Sequence, residues 1–300
     1  MIGTSPHLTE VSLFLETVLL LRNSFDHRTL GAPLTENKTF SRLTNIAIEA
    51  ALNAGKTLRQ GFGTHFSIAS KEGKHNLVTE FDHKAEKQII DFITEKAPNS
   101  RFLAEESGGS GPKEGLLWIV DPLDGTVNFA HTIPMFSVSI AAEEDGRLVC
   151  GVIYQPMLDE LFVAEKGKGA FLNGASIRVS KTSHLHQAIL ATGFPYNVSE
   201  NPFHCVDHFI DMLQLGGPIR RIGSAAIDLA YTASGRFDGF FEASLAPWDC
   251  AAGLLLIEEA GGKVTHWNKK PFSIYSNEPI LATNGHIHNA ASTILTQGNS

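Results

Sequence analysis

Two aspartates three residues apart, separated by a proline, constrain this chain more than any other feature. The segment 121–126, Asp-Pro-Leu-Asp-Gly-Thr, follows an apolar run at 116–120 that is typical of a buried strand ending where the acids begin. Because proline disfavours a helix interior, the spacing favours a turn at the strand end. There, carboxylates and a backbone carbonyl could face one point, and such oxygen ligands suit a hard cation such as Mg²⁺.

The same segment also offers a place for an anion. Gly125 lets the backbone bend, and Thr126 can open a short helix whose free N–H groups can hold a phosphate. The alternative is ordinary loop chemistry, since Asp, Pro and Gly are common turn residues. Two distant segments favour the interpretation as a metal and phosphate site.

These two segments place acids at the ends of apolar runs. Glu105 and Glu106 precede a glycine-rich loop, where they either supply a further carboxylate or form a solvated turn. Pro247 and Asp249 indicate a helix start, and an apolar stretch follows until paired glycines end the helix. Asp249 could simply be the N-cap of that helix, but this alternative leaves Trp248, beside the acid, without a role.

Four motifs together resemble the inositol monophosphatase family. They are Leu-Val-Thr-Glu-Phe-Asp at 77–82, Glu-Glu-Ser at 105–107, the stretch 118–129, and Trp-Asp-Cys-Ala-Ala-Gly at 248–253, in the family's order and with similar spacing. The resemblance runs from about residue 45 to residue 284. The segments 191–196 and 223–226 are most similar to the bacterial inositol-1-monophosphatase subgroup, which includes the extragenic suppressor protein.

The resemblance implies a Mg²⁺ site with two or three ions. Glu105 and the backbone carbonyl of Leu123 would belong to the first metal, Asp121 would bridge two metals, and Asp124 and Asp249 would hold the second metal. The implied ligands are Glu105, Asp121, Leu123, Asp124 and Asp249. Carboxylates bind Mg²⁺ weakly enough to leave reactive waters on it.

The implied reaction is hydrolysis of inositol 1-phosphate to myo-inositol and phosphate by direct attack of metal-activated water. Thr126 and Asp82 would orient and deprotonate that water, with Glu105 as the third catalytic group. The implied substrate contacts are Asp124, Gly125, Thr126, Gly223, Ser224, Ala225, Glu242 and Asp249. Lys71, at the family's basic position upstream of Asp82, is a further candidate, and lithium sensitivity is implied as well. Glu242 could instead face solvent at a strand end.

Other functions stay open at this stage. Related enzymes act on histidinol phosphate, fructose bisphosphate or adenosine bisphosphate, so a sugar, nucleotide or histidinol phosphatase is an alternative. Bacterial relatives of the suppressor type also associate with the transcription machinery, and Arg220-Arg221 could belong to a partner face or be an ordinary surface pair. Family members are commonly dimers, so we expect a homodimer.

Helical segments that alternate with strand segments predict layered α/β packing. The resemblance implies an αβαβα sandwich of the inositol monophosphatase and fructose-1,6-bisphosphatase type. We expect an N-terminal extension at 1–40 that could be disordered. An N-terminal α+β half at 41–183 would carry most metal ligands, and a C-terminal α/β half at 184–300 would carry Asp249 and the substrate contacts.

The composition indicates which classes of partner the protein binds and in which cellular compartment it resides. A net charge of -8 argues against broad nucleic-acid binding, and three cysteines without paired or zinc spacing fit a reducing compartment. The apolar run at 11–21 contains Glu16 and is shorter than the ~20 residues that a membrane helix needs. It also lacks the basic start of a signal peptide. We therefore expect a cytoplasmic protein without a membrane segment.

Overall fold

The structure, a computed structural model, describes residues 40–71, 76–112 and 114–297. The predictions for the extension, including the apolar run at 11–21, lie outside these residues apart from Phe40. Helices and strands alternate along the described chain. None of the helices in this part of the chain is long and apolar enough to cross a membrane.

The strands of the described residues form two large sheets and one small ribbon. They are β1 Ile68–Ser70, β2 Leu77–Thr79, β3 Arg101–Ala104, β4 Gly108–Ser110, β5 Leu117–Asp124, β6 Ser137–Glu144, β7 Arg147–Gln155, β8 Glu160–Glu165, β9 Gly169–Leu172, β10 Ala175–Ile177, β11 Leu190–Thr192, β12 Ile219–Arg220, β13 Gly239–Glu242, β14 Lys263–His266 and β15 Ile280–Thr283. The first sheet has the order β10-β9-β8-β7-β6-β5-β3-β4, the second has the order β12-β11-β13-β15-β14, and β1 pairs with β2. Parallel pairs join β3 to β5 and β11 to both of its neighbours.

Seven α-helices lie within the described residues. They are α1 Arg42–Gly61, α2 Glu80–Lys96, α3 Thr126–Ala130, α4 Cys205–Gln214, α5 Ala225–Ala233, α6 Pro247–Glu259 and α7 His288–Leu295. Three short 3₁₀ turns lie between β10 and α4 in the sequence. They are Leu185–Gln187, Val198–Glu200 and Pro202–His204. The predicted short helix at Thr126 and the predicted helix start at Pro247 are both present.

The side chains of β5 alternate between two hydrophobic cores on opposite faces of the strand. Trp118 and Val120 point to a core with α1 and α2, whereas Leu117 and Ile119 point to a core with α5 and α6. This alternation has the period of two that a strand imposes on its side chains. The second sheet contributes its inner face to the α5–α6 core and its outer face to a third core with α4 and α7. The layers therefore follow the predicted order αβαβα.

The middle layer explains why two helices are apolar on every side. Every residue of α6 from Cys250 to Ile257 is buried, and all but the first residue of α5 are buried. A helix packed between two sheets has no face in contact with water, so it carries no polar stripe. Both helices begin close to the end of β5, because the Asp124 carboxylate accepts from Ser224 and Ala226, and the Ser139 hydroxyl donates to the Trp248 carbonyl.

The paired acids lie within β5 and not in a turn after it. Pairing with β6 matches Asp121 to Ser139 and Asp124 to Ser137, with a register shift between the two pairs. Three steps along β5 thus oppose two steps along β6, which is the geometry of a β-bulge. Proline has no backbone N–H to donate to a regular ladder, so within a sheet it is found at such interruptions. The prediction that the strand ends before Asp121 is therefore wrong, although the backbone is irregular where the acids stand.

Candidate active site

The bulge in β5 turns both of its aspartates toward the start of the middle helices. Asp121 is 2% exposed, and its Oδ1 accepts a hydrogen bond of 3.0 Å from the Leu123 amide. Asp124 accepts at Oδ2 from the Ser224 hydroxyl at 2.6 Å and from the Ala226 amide at 2.7 Å. These bonds fix the second carboxylate at the N-terminus of α5.

Asp249 is placed by the first turn of α6. Ala246 is the N-cap residue, and Asp249, three positions further on, accepts from the Ala246 amide at 2.8 Å through Oδ2. The alternative that Asp249 is itself the N-cap is therefore wrong. The Ser139 hydroxyl donates to the Trp248 carbonyl at 3.1 Å, which holds the helix start against β6, the neighbour of β5.

Glu105 reaches the same region from the parallel strand β3. Its amide donates to the Val120 carbonyl at 3.1 Å, so it stands directly beside Asp121. Lys71 Nζ lies 2.9 Å from the Glu105 carboxylate and 2.6 Å from that of Glu106. Burial acts to lower the pKa of Lys71, but the hydrogen bond to Glu106 and the charge of Glu105 raise it overall. The predicted basic residue therefore stays charged and pairs with a predicted metal ligand.

The acids form one electrostatic cluster. Burial raises the pKa of Asp121 well above its usual value, and the charges of Glu105, Asp124 and Asp249 raise it further. The pKa of Asp249 is also raised well above normal, by burial and then by the charge of Asp124. Burial raises the pKa of Asp124 itself to about 6, against the opposing effect of its hydrogen bond from Ser224. The structure thus brings together the four acids predicted as ligands.

The residues fit a hard divalent cation by the chemistry of their donors. As the side chains are placed, no group of three or more His, Cys, Asp or Glu residues in the described chain has a ready ligand arrangement. Each acid is turned instead toward its own hydrogen-bond donors or toward Lys71. The cluster nevertheless consists of oxygen donors whose mutual repulsion a divalent cation would relieve. The ligand roles stay a prediction.

A second group, Asp82 and Thr126, lies next to the bulge. Thr79 caps α2, and its amide and hydroxyl donate to Asp82 Oδ2 at 2.7 and 2.6 Å. This bond pair leaves Oδ1 facing Thr126 Oγ1, which lies 2.9 Å from it and 3.0 Å from the Leu123 carbonyl. The single hydroxyl proton of Thr126 can serve one of these acceptors at a time. Burial raises the pKa of Asp82 above its usual value.

Gly125 allows the bulge and a second loop to approach closely. It caps α3 with a φ of 94°, in the left-handed region that favours glycine. A Cβ at this position would lie 3.0 Å from the Met135 carbonyl oxygen and 3.3 Å from the Gly223 carbonyl oxygen. The Asn128 amide donates to the Met135 and Ile222 carbonyls, which holds both loops against α3.

The remaining predicted substrate contacts lie at the start of α5 and at the end of β13. Ser224 is 1% exposed and caps α5, with its hydroxyl committed to Asp124, so its direct effect here is to orient that acid. Gly223 and Ala225 flank it. Glu242, at the end of β13, is 7% exposed, so the alternative that it faces solvent is wrong. Burial, and then the charge of Asp249, raise the pKa of Glu242 to about 8.

One acid of this region was not singled out from the sequence. Asp228 in α5 is 1% exposed, and its Oδ1 has no hydrogen-bond partner among the described residues. Burial, and then the charges of Glu242 and Asp124, raise its pKa well above normal, while Arg221 opposes them. The available signal was a lone acid inside an apolar helix, which is costly unless it serves a local purpose.

Most of the chain matches known proteins in sequence and in structure. Residues 40–298 match the inositol monophosphatase family. The chain belongs to this family. Family membership supports a phosphatase, and the fold and the subgroup resemblance inferred from the motifs are confirmed.

Individual relatives of the inositol monophosphatase family agree with this assignment. An inositol-1-monophosphatase of Caulobacter vibrioides is 42% identical over 80% of this chain and 96% of its own length. A protein named Nus factor SuhB of Escherichia coli is 44% identical over 74% of this chain and 84% of its own length. The crystal structure of the extragenic suppressor protein SuhB of Bartonella henselae superimposes with a TM-score of 0.82 and 41% identity, over 86% of this chain and 100% of that one.

The electrostatics predict how stability depends on pH in the absence of divalent cations. Because folding raises the pKa of Asp249 above 3.8, this group stabilises the fold only while protonated, and its contribution is lost as the pH rises through the folded-state pKa. In EDTA, Asp249→Asn should therefore melt at nearly the wild-type temperature at about pH 4, close to the ordinary pKa, and a few degrees above it at pH 8.5.

The exposed Asp145, in the β6–β7 turn, provides a matched control. Asp145→Asn should show no such dependence on pH. Added Mg²⁺ should raise the melting temperature of the wild type more than that of Asp249→Asn. A constant difference between Asp249→Asn and the wild type across this pH range would contradict the repulsion described above.

Proposed function

We propose that this protein is a Mg²⁺-dependent phosphate monoester hydrolase whose preferred substrate is inositol 1-phosphate. The observation that carries the proposal is the convergence of Glu105, Asp121 and the two other clustered acids beside the Thr126–Asp82 pair. The inositol-1-monophosphatase of Caulobacter vibrioides, 42% identical, supports the substrate class. The products would be myo-inositol and phosphate.

The site contains groups suited to the two chemical difficulties of phosphate ester hydrolysis. A phosphate monoester dianion repels an incoming oxygen nucleophile and leaves behind a poor alkoxide, so catalysis depends on positioning and on charge stabilisation. Two or three Mg²⁺ ions, when bound, would lower the pKa of a coordinated water and neutralise charge on the phosphate and on the leaving oxygen. The residues that would hold them are Glu105, Asp121, Asp124, Asp249 and the carbonyl of Leu123. The Gly125 and Thr126 amides would bind the phosphate.

The protein's own contribution to proton transfer would come from Thr126 and Asp82. The Thr126 hydroxyl, which donates to Asp82 at 2.9 Å, keeps its lone pairs free to accept a hydrogen bond from the attacking water. Two hydrogen bonds from Thr79 hold the other oxygen of Asp82 and fix the carboxylate in place. The proton would pass from the water to Thr126 and on to Asp82, whose pKa is raised by burial.

The leaving alcohol would meet Glu242 and the loop at 223–225. A carboxylate accepts hydrogen bonds, so Glu242 suits a polyhydroxylated alcohol such as inositol. A sugar, a nucleotide or histidinol would present different hydroxyls or none at that point, which is why these esters are the alternatives to test.

The decisive experiment compares phosphate release from four esters with and without Mg²⁺ and Li⁺. The esters are inositol 1-phosphate, histidinol phosphate, fructose 1,6-bisphosphate and adenosine 3′,5′-bisphosphate. We expect Mg²⁺-dependent, Li⁺-sensitive hydrolysis with the highest kcat/KM for inositol 1-phosphate. A preference for another ester would overturn the substrate assignment and retain the metal mechanism, whereas no hydrolysis of any ester would overturn the proposed activity.

The role of Thr126 gives a sharper test of the mechanism. Thr126→Ala should lower kcat by about 10²-fold or more, because the path for the water proton is removed. Thr126→Ser keeps the hydroxyl and should retain most of the activity. Mg²⁺ affinity, measured by calorimetry, should be similar in both variants. A normal kcat for Thr126→Ala would remove this role from the mechanism.

A second candidate function is association with the transcription machinery. It is supported by the 44% identical protein of Escherichia coli that is named Nus factor SuhB. Such a role would not require turnover, so Asp249→Asn should still copurify with RNA polymerase although its phosphatase activity is lost. Absence of polymerase from both wild-type and variant preparations would count against this role. We further propose a homodimer, which sedimentation would test.

A further inference from the structure

The register of the second sheet places one glycine beside the proposed substrate-binding acid. Strands β11 and β13 are parallel, with Ala191 opposite Phe240 and Thr192 opposite Phe241. The Thr192 hydroxyl donates to the Phe241 carbonyl at 2.8 Å, which locks this register at its end. One residue further along each strand stand Gly193 and Glu242.

The Glu242 carboxyl group occupies the space that a side chain at position 193 would need. A Cβ built on Gly193 would lie 2.2 Å from Oε2, 2.5 Å from Cδ and 2.6 Å from Oε1 of Glu242. All three distances are below the separation that real Cβ atoms tolerate. The φ angle of Gly193 is not among the positive ones, so an alanine meets no backbone strain there. Space for the carboxyl group is therefore what the glycine provides.

The conflict would be relieved by Glu242 and not by the fold. The atoms in the way are the far end of a flexible side chain, whereas the flanking backbone is fixed by the β11–β13 ladder. Glu242 itself is buried and lies within the charges of Asp249, Asp124 and Arg221. A residue larger than glycine at 193 is thus expected to leave the sheet intact and to move this one carboxylate.

We propose that Gly193 is a positioning residue that determines specificity, because its lack of a side chain lets the Glu242 carboxylate stand where it accepts hydrogen bonds from hydroxyls of the substrate alcohol. This inference rests on the proposed function, in which Glu242 contacts those hydroxyls. It adds a residue without any functional group to the proposed substrate site.

The test compares Gly193→Ala with the wild type on two esters. For inositol 1-phosphate, KM should rise by about tenfold or more with a smaller change in kcat, because hydrogen bonds to a carboxylate are lost. For phenyl phosphate, whose alcohol carries no further hydroxyl, KM should change by less than about twofold. Gly109→Ala is the matched control, because Gly109 is exposed and a Cβ there meets no atom within 4 Å.

A double-mutant cycle distinguishes positioning from a general structural effect. Glu242→Ala removes the atoms that the new Cβ would meet, so in that background Gly193→Ala should change KM for inositol 1-phosphate by less than about twofold. Two results would overturn the inference. One is an equal rise of KM for inositol 1-phosphate when Gly193→Ala is made in the wild type and in Glu242→Ala. The other is a wild-type KM in Gly193→Ala although Glu242→Ala raises the KM.

A crystal structure of Gly193→Ala separates this inference from the proposed function. A displaced Glu242 carboxylate in an otherwise unchanged fold supports the inference, and an unmoved carboxylate overturns it, whichever ester the protein hydrolyses. If the carboxylate moves but Glu242→Ala leaves the KM of every ester unchanged, the contact between Glu242 and the alcohol is overturned, and with it the specificity role of Gly193. The phosphatase activity itself would stand in that case.

Discussion

Repulsion among buried carboxylates is the constraint on which the rest of this structure depends. Burial raises the pKa of Asp121, Asp124 and Asp249, and the charges of neighbouring acids, Glu105 among them, raise it further. Such a cluster opposes folding, so the surrounding chain must hold it together by other interactions. The five-layer arrangement does this by burying two apolar helices between two sheets, with the starts of both helices at the end of β5.

Helix starts compensate part of the repulsion. Asp82 accepts from the N-cap amide of α2, Asp124 accepts from an amide in the first turn of α5, and Asp249 accepts from the N-cap amide of α6. Backbone N–H groups at a helix N-terminus carry a partial positive charge that stabilises a nearby carboxylate. Three helices therefore direct their positive ends at one acid-rich region. The same bonds orient the acids, so stabilisation and positioning of the site have a common origin.

The residues around the acid cluster are positioned in two different ways. Asp82 is held by hydrogen bonds within one short segment, the Thr79–Asp82 cap. Glu242, in contrast, meets Gly193 only through the register of β11 and β13, two strands that are distant in sequence. Under the proposed function, a substitution at Gly193 or Glu242 would therefore alter substrate preference and leave the acid cluster in place.

The local part of this organisation could be predicted from the sequence. The helix starts at Thr126 and Pro247 and the strand before Asp121 follow from residue types and periodicities that act over a few positions. The same patterns predicted layered α/β packing, and the family resemblance implied the αβαβα order. The prediction failed where pairing between segments decides the outcome. The strand continues through both aspartates because β6 pairs with it across a bulge.

The amino-acid sequence by itself identified the four acids of the cluster, the helix starts at Thr126 and Pro247, and the resemblance to the inositol monophosphatase family. Only the tertiary structure decided that the Ser224 hydroxyl is bound to Asp124, that Glu242 is buried, and that Gly193 makes room for its carboxylate. The physical reason is that burial and strand register depend on contacts between residues far apart in the chain, which neither residue type nor local spacing encodes.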